Sequence, residues 1–295
     1  MTQRADDEVE SPAATPEQLY RRFARPTRKR FGQHFLIDHG ILEEIATLAD
    51  LRAEDRVLEI GPGCGTLTLV LLQRGAEVEA IEIDRDAVAF LRRQLEPHFP
   101  LTVHQDSALD VNLAALLEST PIPWKVVANL PYNVGTKILF RLFEQGDRIE
   151  EMTLMFQREV ADRIVAHPGD SEFGALSLMA QLYSEVHLAM TLPPGAFVPP
   201  PKVRSAVVQF RLIPGTRIGD PNLRSAFEQV VKAAFRQRRK TLANGLKAMG
   251  CDKSAVQEDL ESLGLRSKIR PQKVAFEEFE ELTKRLIDRG EVDLL

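Results

Sequence analysis

Between residues 56 and 210 the chain alternates short runs of β-branched and apolar residues with stretches whose apolar positions recur at helical spacing. That alternation restricts the fold to a largely parallel sheet covered by helices, because parallel neighbours need a crossover long enough to hold a helix. Strands are predicted at 57–60, 78–82, 101–104, 126–129, 152–156, 186–190 and 206–212, with helices at 66–73, 84–95, 113–118, 136–143, 159–165 and 176–183. The stretch 192–203 carries Pro193, Pro194, Pro199, Pro200 and Pro201, which excludes regular helix and predicts a stiff connection before the last strand. From about residue 214 the strand signal stops, and helices are predicted at 222–235, 240–249, 254–263 and 276–287 between Gly and Pro breaks.

This pattern gives three segments: a leader over 1–27, an α/β domain over 28–213 and a small all-α domain over 214–295. The length of 295 residues accommodates one sizeable α/β core and one smaller companion. The first 18 residues are polar, with Asp6, Asp7, Glu8, Glu10 and Glu17, and have neither an apolar signal core nor an Arg-rich, acid-poor transit composition. They are expected to be disordered in a cytoplasmic protein. No apolar run reaches the roughly 18 residues of a membrane span. The two cysteines, Cys64 and Cys251, have no metal-ligand spacing around them, so free thiols and no metal are expected.

A net charge of −5 argues at first against a polyanionic partner. The distribution qualifies this: Arg21, Arg22, Arg25, Arg28, Lys29 and Arg30 form one dense run, and Arg236, Arg238, Arg239 and Lys240 form another. Either run alone reads more readily as a solvated face; the two together shift the reading toward an electrostatic footprint for an anionic polymer.

The first strand runs into Glu59-Ile60-Gly61-Pro62-Gly63-Cys64-Gly65-Thr66, a glycine turn entering a helix, which lets backbone approach a nucleotide-like ligand. The spacing departs from the dinucleotide fingerprint, whose third glycine falls one residue later. A purely structural tight turn is the alternative. Glu82 ends the second strand and Asp84 opens the next helix, so a carboxylate able to accept two ribose hydroxyls lies beside the turn. Asp106 follows the third strand, where it suits the amino edge of an adenine or serves as a helix cap. Together these describe a pocket for an adenosine without pyrophosphate, which is S-adenosylmethionine rather than NAD.

The fourth strand runs into Asn129-Leu130-Pro131-Tyr132. Adenine N6 is a poor nucleophile because its lone pair is delocalised into the ring. The Asn129 side-chain oxygen and the Pro131 carbonyl can each accept one N6 hydrogen while Tyr132 stacks on the base, so no strong general base is required. A buried Asn-Pro turn is the bland alternative. A base in duplex RNA is inaccessible and must come from a loop or be flipped out; Phe197 is a candidate for the opposite face of the stack, or an ordinary core Phe.

Six blocks in order, Arg30-Phe31-Gly32-Gln33-His34-Phe35-Leu36, Leu58 to Gly63, Asn129 to Asn133, Gln157-Arg158-Glu159-Val160, Phe197 to Val208 and Phe235 to Leu242, resemble the KsgA/RsmA family of small-subunit ribosomal RNA adenine dimethyltransferases over roughly residues 28–245. The resemblance implies a Rossmann-like class I S-adenosylmethionine-dependent methyltransferase sheet with a small C-terminal all-α domain. It implies dimethylation of N6 in two adjacent adenines of a 3′-terminal hairpin of 16S rRNA, on immature small ribosomal subunits, by an enzyme expected to be monomeric. Carried over by position, cofactor contacts fall on His34, Leu36, Gly61, Gly63, Glu82, Asp106 and Asn129, and RNA contacts on Arg28, Lys29, Arg30, Arg236, Arg238, Arg239 and Lys240. Many members have Asn where this chain has His34, whose imidazole retains donor and acceptor capacity. Three rivals remain: an Erm-type enzyme acting on large-subunit rRNA, disfavoured by Leu130 and the 237–240 segment; a non-catalytic assembly factor, disfavoured by intact Asn129, Pro131 and Tyr132; and a small-molecule methyltransferase, disfavoured by the basic runs and the extra helical domain.

Overall fold

The computed structural model describes residues 15–23, 34–118, 123–237 and 239–292. In chain order the elements of the first half are α1 (Pro16–Phe23), β1 (Phe35–Leu36), α2 (His39–Leu48), β2 (Arg56–Ile60), α3 (Thr66–Gln73), β3 (Glu77–Glu82), α4 (Arg85–Gln94), β4 (Leu101–Gln105), α5 (Leu113–Leu117), β5 (Trp124–Asn129), α6 (Gly135–Phe143) and β6 (Ile149–Gln157). They are followed by α7 (Arg158–Val165), α8 (Ala175–Tyr183), β7 (Ser184–Leu192), β8 (Phe197–Val198), β9 (Ser205–Leu212), α9 (Pro221–Phe235), α10 (Leu242–Lys247), α11 (Lys253–Ser262) and α12 (Phe276–Asp288). No helix among the described residues is long and apolar enough to cross a membrane. Both cysteines are free and buried.

Seven strands form one sheet in the order β4-β3-β2-β5-β6-β9-β7. β2 pairs in parallel with both β3 and β5, so the order reverses at β2 and leaves a crevice beyond its carboxyl end, where ligands bind in open α/β sheets. β9 inserts antiparallel to β6. All seven predicted strands and all ten predicted helices are present, with ends displaced by a few residues.

Two compact units divide the chain, one from Met1–Arg158 and Leu188–Arg211, the other from Glu159–His187 and Leu212–Leu295. The division differs from the boundary expected at 213/214, because α7 and α8 belong with the C-terminal helices. Their reason is aromatic and polar contact with α9: Phe173 packs edge-on to Phe235 at 6.3 Å, and Tyr183 donates to Glu228 at 2.8 Å.

Within the leader, the residues of α1 depart from the expectation of disorder. Helix α3 is buried over seven consecutive residues, Thr66 to Leu72, so its outer side must be covered. The α1 and α2 helices cover it. Leu19 and Phe23, four residues apart on one face of α1, are buried, and the Phe23 ring meets Phe35 at 5.7 Å and Phe90 at 5.0 Å. Two members of the first basic run are engaged locally: Arg21 pairs with Glu17 at 2.7 Å, and Arg22 donates to Gln94 at 3.0 Å.

Candidate active site

A cleft of about 210 Å³ opens at the carboxyl ends of β2, β3, β4 and β5, walled by β1. Its floor is the glycine turn. Gly61, Gly63 and Gly65 all have positive φ, and at Gly63 a Cβ would lie 2.8 Å from the Phe35 ring, so only glycine fits there without moving that wall.

Glu82 braces the turn from β3. One carboxylate oxygen accepts from Gly63 N at 2.9 Å and the other from Asp84 N at 2.8 Å, so the side chain fixes both the floor and the entry to α4. Burial pushes its pKa up, and the two backbone donors pull it partly back. Each oxygen keeps a second lone pair, which leaves room for a ligand hydroxyl. Asp106 is exposed at the end of β4 and lines the cleft; its Oδ1 accepts from the neighbouring Ser107 N at 2.7 Å. It caps no helix, since α5 is capped by Asn112. Leu36 contributes an apolar, buried patch of wall.

The tetrapeptide follows β5 directly. Asn129 Nδ2 donates to the His34 carbonyl at 3.3 Å, which turns Oδ1 the other way as an acceptor. Leu130 is buried and its N–H donates to Met155 O at 3.3 Å, extending the ladder by one residue. The Pro131 carbonyl accepts from Val134 N at 3.1 Å in the turn that starts α6, and retains one lone pair. The Tyr132 hydroxyl shares a 2.5 Å hydrogen bond with Ser205 Oγ, and burial pushes its pKa up.

Phe197 does not face this cleft. β8 pairs antiparallel with β1, Leu36 opposite Phe197, and that register turns the ring into the core, 1% exposed. The ring stacked on Tyr132 is instead the imidazole of His34, 5.7 Å away and inclined 26°. His34 Nδ1 meets Pro199 O at 2.8 Å; a carbonyl only accepts, so that nitrogen carries the proton. Of the residues expected to contact RNA, Arg236, Arg239 and Lys240 are exposed in the second unit, whereas Arg28, Lys29, Arg30 and Arg238 lie outside the described residues.

Two cleft residues carry roles that the sequence reading did not assign. Ile83, the residue after Glu82, is 54% exposed inside the cleft, an apolar surface of the kind a purine face covers. Glu59 is buried at the end of β2, and one of its oxygens has no partner among the described residues. Burial pushes its pKa up to about 8, the Thr68 hydroxyl opposes this, and the charge of Glu82 adds to it. In the unfolded chain the group titrates near 4.5, so the unfolded state ionises first and stability falls as pH rises from about 4.5 to about 8. Glu59→Gln removes that loss. Its advantage in unfolding free energy over the parent is expected to grow by on the order of a few kcal/mol between pH 5 and pH 8 in urea titrations; an equal difference at both pH values would show that Glu59 is ionised in the fold.

A sheet in this order, with a glycine floor and a carboxylate on the adjacent strand end, defines a class I S-adenosylmethionine-dependent methyltransferase. The family model described as ribosomal RNA adenine dimethylase matches residues 24–288. Ribosomal RNA small subunit methyltransferase A of Syntrophotalea carbinolica is 42% identical over 87% of this chain and 96% of that protein, and the protein of the same name from Nitrosococcus oceani is 44% identical over 87% and 95%. Among solved structures, a dimethyladenosine transferase from Plasmodium falciparum superposes with a TM-score of 0.73 at 25% identity, covering 89% of this chain and all of that one. The 23S rRNA methyltransferase ErmE superposes with a TM-score of 0.67 at 26% identity, covering 86% and 99%. The chain belongs to the ribosomal RNA adenine dimethylase family.

Proposed function

We propose that this enzyme transfers methyl groups from S-adenosylmethionine to N6 of two adjacent adenines in the 3′-terminal hairpin of 16S rRNA, working as a monomer on immature small subunits in the cytoplasm. Its relatives named ribosomal RNA small subunit methyltransferase A support the substrate. Bound in the cleft, the cofactor supplies an electrophilic methyl on a sulfonium. The residues fit it: Glu82 offers lone pairs for ribose hydroxyls, Asp106 an acceptor for the adenine amino edge, Ile83 an apolar face, and Gly61, Gly63, His34 and Leu36 the surrounding wall. Glu59 also lines the cleft, with one side-chain oxygen unpartnered among the described residues and so available to a polar group of the cofactor.

The observation that carries the reading is the orientation of the Asn129 amide. With Nδ2 held by the His34 carbonyl, Oδ1 is the acceptor available to one N6 hydrogen, and the free lone pair of Pro131 O takes the other. Two acceptors on the amino group draw its N–H bonds out of the ring plane and so take the nitrogen lone pair out of conjugation, while Tyr132 supports the base. Incubation of the purified enzyme with labelled cofactor and unmethylated ribosomal subunits tests this. Label is expected in dimethyladenosine of the small-subunit RNA; incorporation confined to large-subunit RNA would reject the substrate.

A further inference from the structure

The segment 199–205 is tied at both ends to the candidate site. At one end Pro199 O accepts from His34 Nδ1 at 2.8 Å, and at the other Ser205 Oγ bonds the Tyr132 hydroxyl at 2.5 Å. Those partners are themselves stacked, so the two ends of the segment are brought to one place. Arg204 O is also fixed, by Arg158 N at 2.9 Å. Between the anchors, Lys202, Val203 and Arg204 are consecutive and exposed. With Cα atoms 3.8 Å apart along the chain, all three lie within about 11 Å of Ser205.

The chemistry of this tip is unusual for a solvated turn. Val203 at 44% and Ile83 at 54% are the large hydrophobic side chains left exposed among the described residues, and Ile83 lies in the cofactor cleft. Neither Lys202 nor Arg204 forms an ion pair within the described residues, although elsewhere in this acidic chain Arg56, Arg74 and Lys125 pair with carboxylates. An apolar side chain between two uncommitted cations matches a nucleotide, with a base or ribose edge against the valine and phosphates on either side.

We infer that Lys202, Val203 and Arg204 form a subsite for the RNA nucleotide next to the target adenine, gripping its backbone at the mouth of the site. The inference rests on reading the cleft as the place where an RNA adenine is methylated. Its role is to hold the strand so that a single base can leave its stack and reach Tyr132: the flanking phosphates stay outside, fixed, while the base enters. Because the loop is anchored through His34 and Tyr132, grip on the strand and position of the base are set by the same two hydrogen bonds.

The test uses the full chain and a fluorescent RNA hairpin with two adjacent adenines in its loop, with binding followed by anisotropy from 50 to 300 mM KCl. The double variant Lys202→Ala/Arg204→Ala is expected to bind about tenfold more weakly at low salt, with a log–log salt slope shallower by about 1.4, the value for two lost single-strand phosphate contacts. Val203→Ser is expected to weaken binding about threefold with the slope unchanged, since it removes apolar contact only. Melting temperature and cofactor affinity should stay at parental values in both variants. A double variant with parental affinity and slope overturns the subsite while leaving the methylation reading intact, provided the parent still methylates small subunits. A parent that methylates no RNA would instead overturn the site reading on which the inference stands.

Discussion

Asn129→Ala is expected to lower the rate of dimethyladenosine formation about 10³-fold, the scale on which removing one preorganised polar group acts on a transition state. The two ends of the amide have different commitments. Nδ2 is committed to the His34 carbonyl at 3.3 Å, so the side chain cannot rotate to present its donor to the incoming amino group. Oδ1 is therefore an acceptor aimed at a group that must lose conjugation, and its contribution appears as the N6 lone pair localises, more than when the base merely binds. Truncation also leaves the His34 carbonyl without that donor, which loosens the wall stacked on Tyr132. Rapid-quench measurement of the first methylation, with small-subunit binding followed in parallel, separates the two effects. Product formation should collapse while subunit affinity changes little, because none of the basic residues proposed to contact RNA is touched. Parental rates in Asn129→Ala would remove the polarising amide from the mechanism.

The parts of this architecture that the sequence disclosed are those governed by local periodicity. β2 and β5 read as short apolar and β-branched runs because both of their faces are buried, and α3 reads as a helix from Thr66 to Gln73, the ends it has in the fold. What stayed hidden depends on partners distant in sequence. α1 follows an acidic stretch and has only eight residues, too short to declare itself by propensity. Yet the signal for some cover was present in Thr66 to Leu72, where apolar side chains surround the helix on all sides. α2, also absent from the predicted helices, opens on Asp38, whose side chain accepts from Ile41 N at 3.1 Å as an N-cap.

The same distinction holds in the site. The place of Gly63, Glu82, Asp106 and Asn129 on the cleft lining was legible because each sits at the carboxyl end of a strand or just beyond it, where topology alone sends ligands. Phe197 stays open between base stack and core in the sequence because a lone Phe before a proline run does not say which way it faces; the two-residue pairing with β1 decides that, and it turns the ring inward. His34 was noticed as a cofactor contact, but its stacking on Tyr132 and its bond to Pro199 join segments about 100 and 165 residues away, which no window of sequence spans.

Glu82→Gln is expected to weaken cofactor binding at least about 100-fold at pH 8, an outcome that isothermal titration measures directly. The parent carboxylate presents acceptors to two backbone donors at once, Gly63 N and Asp84 N. A carboxamide has one oxygen and one NH2, so whichever way it flips, a buried N–H faces a donor. Each such mismatch costs about 1–3 kcal/mol, and it falls on the glycine turn that forms the cleft floor. The ligand's ribose loses a charged acceptor at the same time, worth a further amount of about the same size. Protonation of the parent produces a related defect, because a carboxylic acid also turns one acceptor into a donor. Burial raises the Glu82 pKa above the usual 4.5, so cofactor affinity in the parent should decline as pH falls through that raised value, earlier than an exposed carboxylate would allow. In Glu82→Gln the decline should vanish, leaving weak binding at every pH. If the substituted enzyme bound cofactor within threefold of the parent, or kept the parent's acid dependence, the carboxylate would be bracing the turn without touching the ligand, and recognition of the ribose would have to come from another wall of the cleft.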